Sequence, residues 1–128
     1  MMLETRRLQV LIIDDDAHIC RAVDRLLRAT CDVDQACDGE QALAQVRAGS
    51  FDVILCDLLL KGEPGLQLAG KLVRAQPHLT RRIILMSGAT LNGDLMRQVS
   101  ESGHPFIEKP FSPIQLVEII ERVATARS

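Results

Sequence analysis

Short apolar runs alternate with amphipathic stretches five times along this chain, and that alternation narrows its fold more than any other feature. The runs are Leu8–Ile13, Val33–Ala36, Val53–Cys56, Arg82–Met86 and Phe106–Ile107 with its neighbours. Each is followed by apolar residues at helical spacing. After the first run, Ile19, Val23, Leu26 and Leu27 fall on one helix face. Leu43 and Val46 mark a second helix opened by Asp38–Gly39, and Leu68, Leu72 and Val73 mark a third that stops before Pro77. Leu95 and Val99 mark a fourth. The fifth has the fullest start signal. Ser112 caps it, Pro113 takes the first helical position, Gln115 sits three residues after the cap, and Leu116, Ile119, Ile120 and Val123 form its stripe. Strands alternating with helices imply βα units, right-handed crossovers and a parallel sheet covered on both faces. The expectation is one α/β domain over residues 1–128, with a doubly wound, five-stranded parallel sheet and a core at about 8–124.

Composition agrees with that architecture and removes several function classes. Hydrophobic residues make up 47% of the 128, but aromatics only 2%, with no Trp or Tyr. The core is therefore built from Leu, Ile, Val and Ala, and no aromatic platform exists on which bases could stack. The formal net charge is −2, and the longest basic clusters are the pairs Arg6–Arg7 and Arg81–Arg82, so no nucleic-acid footprint is expected. No apolar stretch approaches the roughly 18 residues of a membrane span. The opening MMLETRRLQV lacks the apolar segment of a signal peptide. A cytoplasmic protein with no membrane contact is expected. Cys20, Cys31, Cys37 and Cys56 match no metal-clip spacing and read as reduced thiols.

In an open parallel sheet the functional crevice lies at the carboxyl ends of the strands. Asp14, Asp15 and Asp16 follow the first run, and Asp57 follows Val53–Cys56. Ser87 follows Ile83–Met86, and Lys109 follows Phe106–Glu108. All should meet at one edge. Carboxylates of Asp14, Asp15 and Asp57 crowded to ~4 Å would repel by several kcal/mol per pair at an effective dielectric near 20. A raised pKa or a bound hard cation relieves this, and carboxylate, carbonyl and water oxygens are what Mg²⁺ prefers. A carboxylate could then attack a phosphoryl group whose oxygens are held by Lys109 and Ser87, which is the positioning and charge neutralisation that phosphoryl transfer needs. Asp16 reads as a helix cap, and His18, His78 and His104 share no ligand spacing.

The strings VLIIDDDAHI, DVILCDLLLKGEPGL, RIILMSGA and FIEKPF, in this order and at these strand ends, resemble the receiver domain of two-component signalling over roughly residues 8 to 124. The resemblance implies a flavodoxin-like (βα)5 receiver fold. It implies Asp57 as phosphoacceptor, Asp15 as direct metal ligand, Asp14 acting largely through water, and the Leu59 backbone carbonyl completing a site for Mg²⁺, with Mn²⁺ as an alternative. Ser87 matches the switch hydroxyl, Lys109 the phosphate-pairing lysine, and Phe106 the aromatic switch position. The Lys109–Pro110 bond is expected to be cis. Phosphoryl groups would come from a histidine kinase or a histidine phosphotransfer protein. Output to an effector domain or a second copy would leave through the face made by the fourth helix, fifth strand and fifth helix. Such a domain catalyses only its own phosphorylation and dephosphorylation, and apolar Leu59 and Ala89 flanking the pocket imply slow loss of phosphate. The run from Arg81 to Phe111 also resembles receivers at the C-terminus of hybrid histidine kinases, so stand-alone and excised origins both stay open.

Three positions depart from the family pattern. Lys61 stands where Pro is usual, Pro64 where Asp or Asn is usual, and Phe106 lacks the hydroxyl of a Tyr, so the loop after Asp57 is expected to differ in shape. Two other classes share parts of the pattern. A haloacid-dehalogenase-type phosphatase would read Asp14–Asp15–Asp16 as its D-x-D, but it needs a further acidic metal motif after the lysine, where only Glu118 and Glu121 remain. A flavodoxin-like FMN binder would meet three acids where its phosphate should sit.

Overall fold

The structure, a computed structural model, describes residues 6–88 and 90–126. The main sheet consists of β1 (Leu8–Ile13), β2 (Cys31–Ala36), β3 (Val53–Asp57), β4 (Ile83–Ser87) and β5 (Phe106–Glu108). All neighbours pair in parallel, in the order β2-β1-β3-β4-β5. Helices α1 (Ala17–Leu27), α2 (Gly39–Ala48), α3 (Gly65–Ala75), α4 (Gly93–Ser102) and α5 (Pro113–Thr125) follow their strands in turn. This is the expected doubly wound α/β arrangement, with strand order reversing between β1 and β3.

Strand alternation divides the core into two layers. Leu11, Ile13, Ile54, Cys56, Ile83 and Leu85 face α2, α3 and α4, where they meet Val46, Leu68, Leu72 and Val99. Val10, Ile12, Val53, Leu55, Ile84 and Met86 face α1 and α5, where they meet Val23, Leu27, Leu116 and Ile120. Both faces are covered, so β3 and β4 are buried at every residue and read as continuous apolar runs. Each fully buried Leu, Ile or Val contributes about 1.5–3 kcal/mol. The edge strand β2 buries only Cys31 and Ala36.

Capping accounts for most helix starts. Asp16 accepts from the His18 amide, Asp38 from Gln41 and Asn92 from Leu95. Ser112 and Gln115 form a reciprocal capping box. Helix α3 has no side-chain cap, because Pro64 occupies that position. Its first amide, Gly65, donates instead to the Leu58 carbonyl at 2.9 Å, which replaces part of the missing cap.

Several boundaries differ from the sequence pattern by one or two residues: β2 begins at Cys31, and β4 runs from Ile83 to Ser87 rather than from Arg82 to Met86. Leu26, expected on the buried face of α1, is exposed, and Cys20 takes that place. A small side chain there suits the close approach of α1 to the end of β1, where the Cys20 thiol lies 3.5 Å from the Asp14 carbonyl. All four cysteines are free thiols, with Cys37 exposed and the others buried. The Lys109–Pro110 bond is cis.

The junction of β3 with α3 is the tightest backbone approach. A Cβ at Gly65 would overlap the Asp57 carbonyl oxygen and lie 2.8 Å from the Leu58 Cα. Backbone cannot yield there as a flexible side chain would. Gly65→Ala should cost about 2–3 kcal/mol in urea unfolding. Gly88→Ala, whose nearest contact would be the Lys109 Cβ at an ordinary 3.4 Å, should cost less than about 1 kcal/mol. Equal midpoints for the two variants would refute the tight junction.

Candidate functional site

Parallel register brings the chemistry-bearing residues to one edge. Ile13 pairs with Ala36 and Cys56, Asp57 with Met86, and Ser87 with Glu108. Asp14, Asp57, Ser87 and Lys109 therefore lie at or one residue beyond the carboxyl ends of four neighbouring strands. Carboxylate oxygens of Asp14, Asp15 and Asp57 all lie within 4.8 Å of one another. Asp14 and Asp57 are buried, whereas Asp15 is exposed.

Each carboxylate is held by a backbone amide. Asp16 N–H donates to Asp14 Oδ1 at 2.9 Å, Leu59 N–H to Asp57 Oδ1 at 3.1 Å, and Lys61 N–H to Asp15 Oδ2 at 3.1 Å. Lys109 Nζ lies 2.7 Å from Asp14 Oδ2 and 3.6 Å from Asp57 Oδ2. Burial alone would lower the Lys109 pKa, but its bond to Asp14 and the charges of Asp14 and Asp57 outweigh this and hold it above the ordinary lysine value. Burial pushes the Asp57 carboxyl up. The Leu59 amide and Lys109 oppose that rise, Asp14 and Asp15 add to it, and the pKa ends above the ordinary carboxylate range.

Ser87 is fully buried at the end of β4. Phe106 is half-buried and packs against the layer that includes Leu91, Leu95 and Val99. It lines a cleft of about 310 Å³ with Gly88, Thr90, Leu91, Met96 and Glu108. The Leu59 side chain is 49% exposed, so it offers no enclosing wall on its own. Ala89, expected as the other flank, lies outside the described residues. Asp16 caps α1 as anticipated, and Glu118 and Glu121 are exposed on α5 rather than joining the acidic group. His18 is engaged by Arg21, and His78 by the Phe51 carbonyl.

Sequence reasoning missed the backbone donors and the loop that carries them. Leu59–Leu60 and Glu63–Pro64 pair antiparallel across the two-residue turn Lys61–Gly62, with Gly62 at φ 85°. The glycines on either side of Pro64 were the available signal, since a Gly two residues after a short apolar run often marks a tight turn. The unusual residues Lys61 and Pro64 both lie in this hairpin, Lys61 in its turn and Pro64 at its end.

Residues 10–121 match the response regulator receiver domain. The chain belongs to that family. This receiver is 31% identical over 116 residues to the DNA-binding response regulator MtrA of Mycobacterium tuberculosis, covering 90% of this chain and 50% of that protein. It thus spans about half the length of MtrA. It is also 30% identical to the chemotaxis protein CheY of Pseudomonas aeruginosa over 119 residues, covering 91% of this chain and 95% of the other. Among solved structures, CheY4 of Vibrio cholerae superposes with a TM-score of 0.81 at 28% identity, covering 91% and 98% of the two chains. A response regulator of Chloroflexus aurantiacus gives 0.83 at 28%, covering 94% and 100%. Phosphorylation on aspartate is the general function of these receivers, and their partners are histidine kinases and effector domains.

The donor chemistry of the acidic group fits a metal ion. Three carboxylates face one ammonium, and an all-oxygen set suits a hard divalent cation. Among the described residues of this receiver, no helix is long and apolar enough to cross a membrane.

The raised Asp57 pKa has a consequence for stability without metal. Ionised Asp57 is disfavoured in the folded state relative to the unfolded chain, so the fold is penalised above the unfolded-state pKa. The penalty fades as pH falls through the folded-state pKa. Asp57→Asn should therefore raise the melting temperature in EDTA at neutral pH by a few degrees, about 1 kcal/mol or less, and the gain should close in the carboxylate range. Added Mg²⁺ should stabilise wild type more than the variant. A variant less stable than wild type at neutral pH in EDTA would contradict the assigned cost.

Proposed function

We propose that this chain is one receiver unit that accepts a phosphoryl group on Asp57 in a Mg²⁺-dependent reaction. The observation that carries the reading is the convergence of three carboxylates within 4.8 Å, with Lys109 between Asp14 and Asp57. Asp14 is occupied by Lys109 and the Asp16 amide, and Asp15 is tethered to the neighbouring loop. Among the described residues Asp57 Oδ2 has no hydrogen bond within 3.5 Å and lies 3.6 Å from the ammonium, which makes it the best placed nucleophile.

Its carboxylate oxygen forms the new O–P bond as the P–N bond of a phosphohistidine breaks and the imidazole leaves with the electron pair. Lys109 supplies positive charge for the phosphoryl oxygens, and the Ser87 hydroxyl at the neighbouring strand end supplies a hydrogen bond. Asp15, Asp57 and the Leu59 carbonyl would hold Mg²⁺ directly, with Asp14 acting through water, and Mn²⁺ would satisfy the same donors. The bound ion supplies further neutralisation of the phosphoryl charge. The unit turns over nothing but its own aspartyl phosphate. The donor is a histidine kinase or a histidine phosphotransfer protein, met in the cytoplasm. Output runs from Ser87 through Phe106 to the face formed by α4, β5 and α5, and from there to an effector domain or a second copy. The cleft beside Phe106 gives that ring room to move.

Acetyl phosphate with Mg²⁺ should label the wild type and leave Asp57→Asn unlabelled. Label taken up by that variant at the wild-type rate on another residue would reject the assignment. Asp15→Asn should weaken Mg²⁺ binding more than Asp14→Asn, at least severalfold, by calorimetric titration. Ser87→Ala should still be labelled but should lose the chemical-shift changes that beryllofluoride induces in α4. Unchanged shifts there would break the proposed route.

A further inference from the structure

Of the three amides that hold the acidic cluster, one comes from a position that need not have an N–H at all. Lys61 is the first residue of the two-residue turn between Leu59–Leu60 and Glu63–Pro64, and Gly62 follows it with φ 85°. A positive φ at the second turn position defines a type II turn, whose first position favours proline. Lys61 has no positive φ, and extended Leu60 precedes it, so the backbone suits a proline as well as it suits lysine. Lysine brings something a proline lacks: its amide donates to Asp15 Oδ2 at 3.1 Å.

We propose that the Lys61 backbone amide is a positioning group for the cation site, holding Asp15 ready for the metal. The inference rests on reading Asp14, Asp15 and Asp57 as that site. Asp15 is the exposed member of the trio, and the Lys61 bond is its one hydrogen bond among the described residues. Without it, the carboxylate would be free to rotate into water, and binding would carry the cost of ordering it. A carboxylate has two oxygens, so engaging Oδ2 leaves Oδ1 for the cation. The donor itself is well fixed. Glu63 is bonded to Lys71 on α3 at 2.5 Å, and the Gly65 amide is bonded to Leu58 at 2.9 Å, so the hairpin is pinned to α3 just beyond the turn. The Lys61 side chain is exposed and takes no part, and the effect belongs to its N–H alone.

The test compares Lys61→Pro with Lys61→Ala, which share the loss of the side chain and differ in the amide. Mg²⁺ titrations followed by amide NMR should give an affinity about tenfold weaker for the proline variant, the size typical of losing a group that orients a metal ligand. Affinities within twofold of each other would overturn the proposal. A second readout needs neither variant to bind metal. In wild type without Mg²⁺ the Lys61 amide should exchange slowly for an exposed turn, and in Asp15→Ala it should exchange at least tenfold faster. An amide already fast in wild type, or unchanged in Asp15→Ala, would overturn the bond even if the proline variant failed to fold. If wild type shows no Mg²⁺-dependent shifts at Asp14, Asp15 and Asp57, the cation-site reading itself falls. If it does and the proline variant matches the alanine one, only the role of Lys61 falls.

Discussion

Concentrated negative charge at the carboxyl edge of the sheet is the constraint around which the rest of this protein is arranged. Asp14 and Asp57 are buried there, with Asp15 beside them. At an effective dielectric near 20 such neighbours cost several kcal/mol. The fold tolerates them because Lys109, from the far side of the sheet, reaches Asp14 at 2.7 Å and because every carboxylate has a backbone donor. Breaking a buried pair of this kind by removing one partner typically costs about 3–5 kcal/mol. Two core layers of aliphatic side chains supply the stability that offsets the strain. The described side chains thus leave the edge short of positive charge, with the single ammonium of Lys109 set among three carboxylates.

Much of this was legible in the sequence. Apolar periodicity identified all five strands and helices because β3 and β4 are buried on both faces and α5 carries both a capping box and a stripe. Residues at strand ends could be named because parallel register leaves them little freedom: once Ile13 aligns with Cys56, Asp57 with Met86 and Ser87 with Glu108, Asp14, Asp57, Ser87 and Lys109 must meet. What stayed hidden was carried by the backbone. No side-chain pattern announces that Lys61 N–H reaches Asp15, or that Gly65 leaves no room for a Cβ above Asp57. Leu26 was misplaced for a related reason, since periodicity cannot tell a large apolar residue at the rim of a stripe from a small buried Cys20.

The loop after Asp57 shows how unusual residues can be accommodated without loss of geometry. Pro64 leaves α3 without a side-chain cap. The Gly65 amide finds the Leu58 carbonyl, and the short hairpin is anchored to α3 by Glu63 and Lys71. Main-chain bonds thus hold the start of α3, and the carboxylates stay where register puts them.

Helices α3 and α4 are anchored very differently. Helix α3 starts against the Asp57 carbonyl and buries Leu68, Ala69 and Leu72, so it cannot shift without carrying the strand end with it. Helix α4 buries only Val99, is followed by a left-handed Gly103, and leaves Met96 exposed. Few buried contacts mean a low free energy of local opening. The molecule therefore has a stiff half and a compliant half on the same face of one sheet. Work done at the acidic edge would dissipate into α4, while α3 serves as the fixed abutment against which it is done.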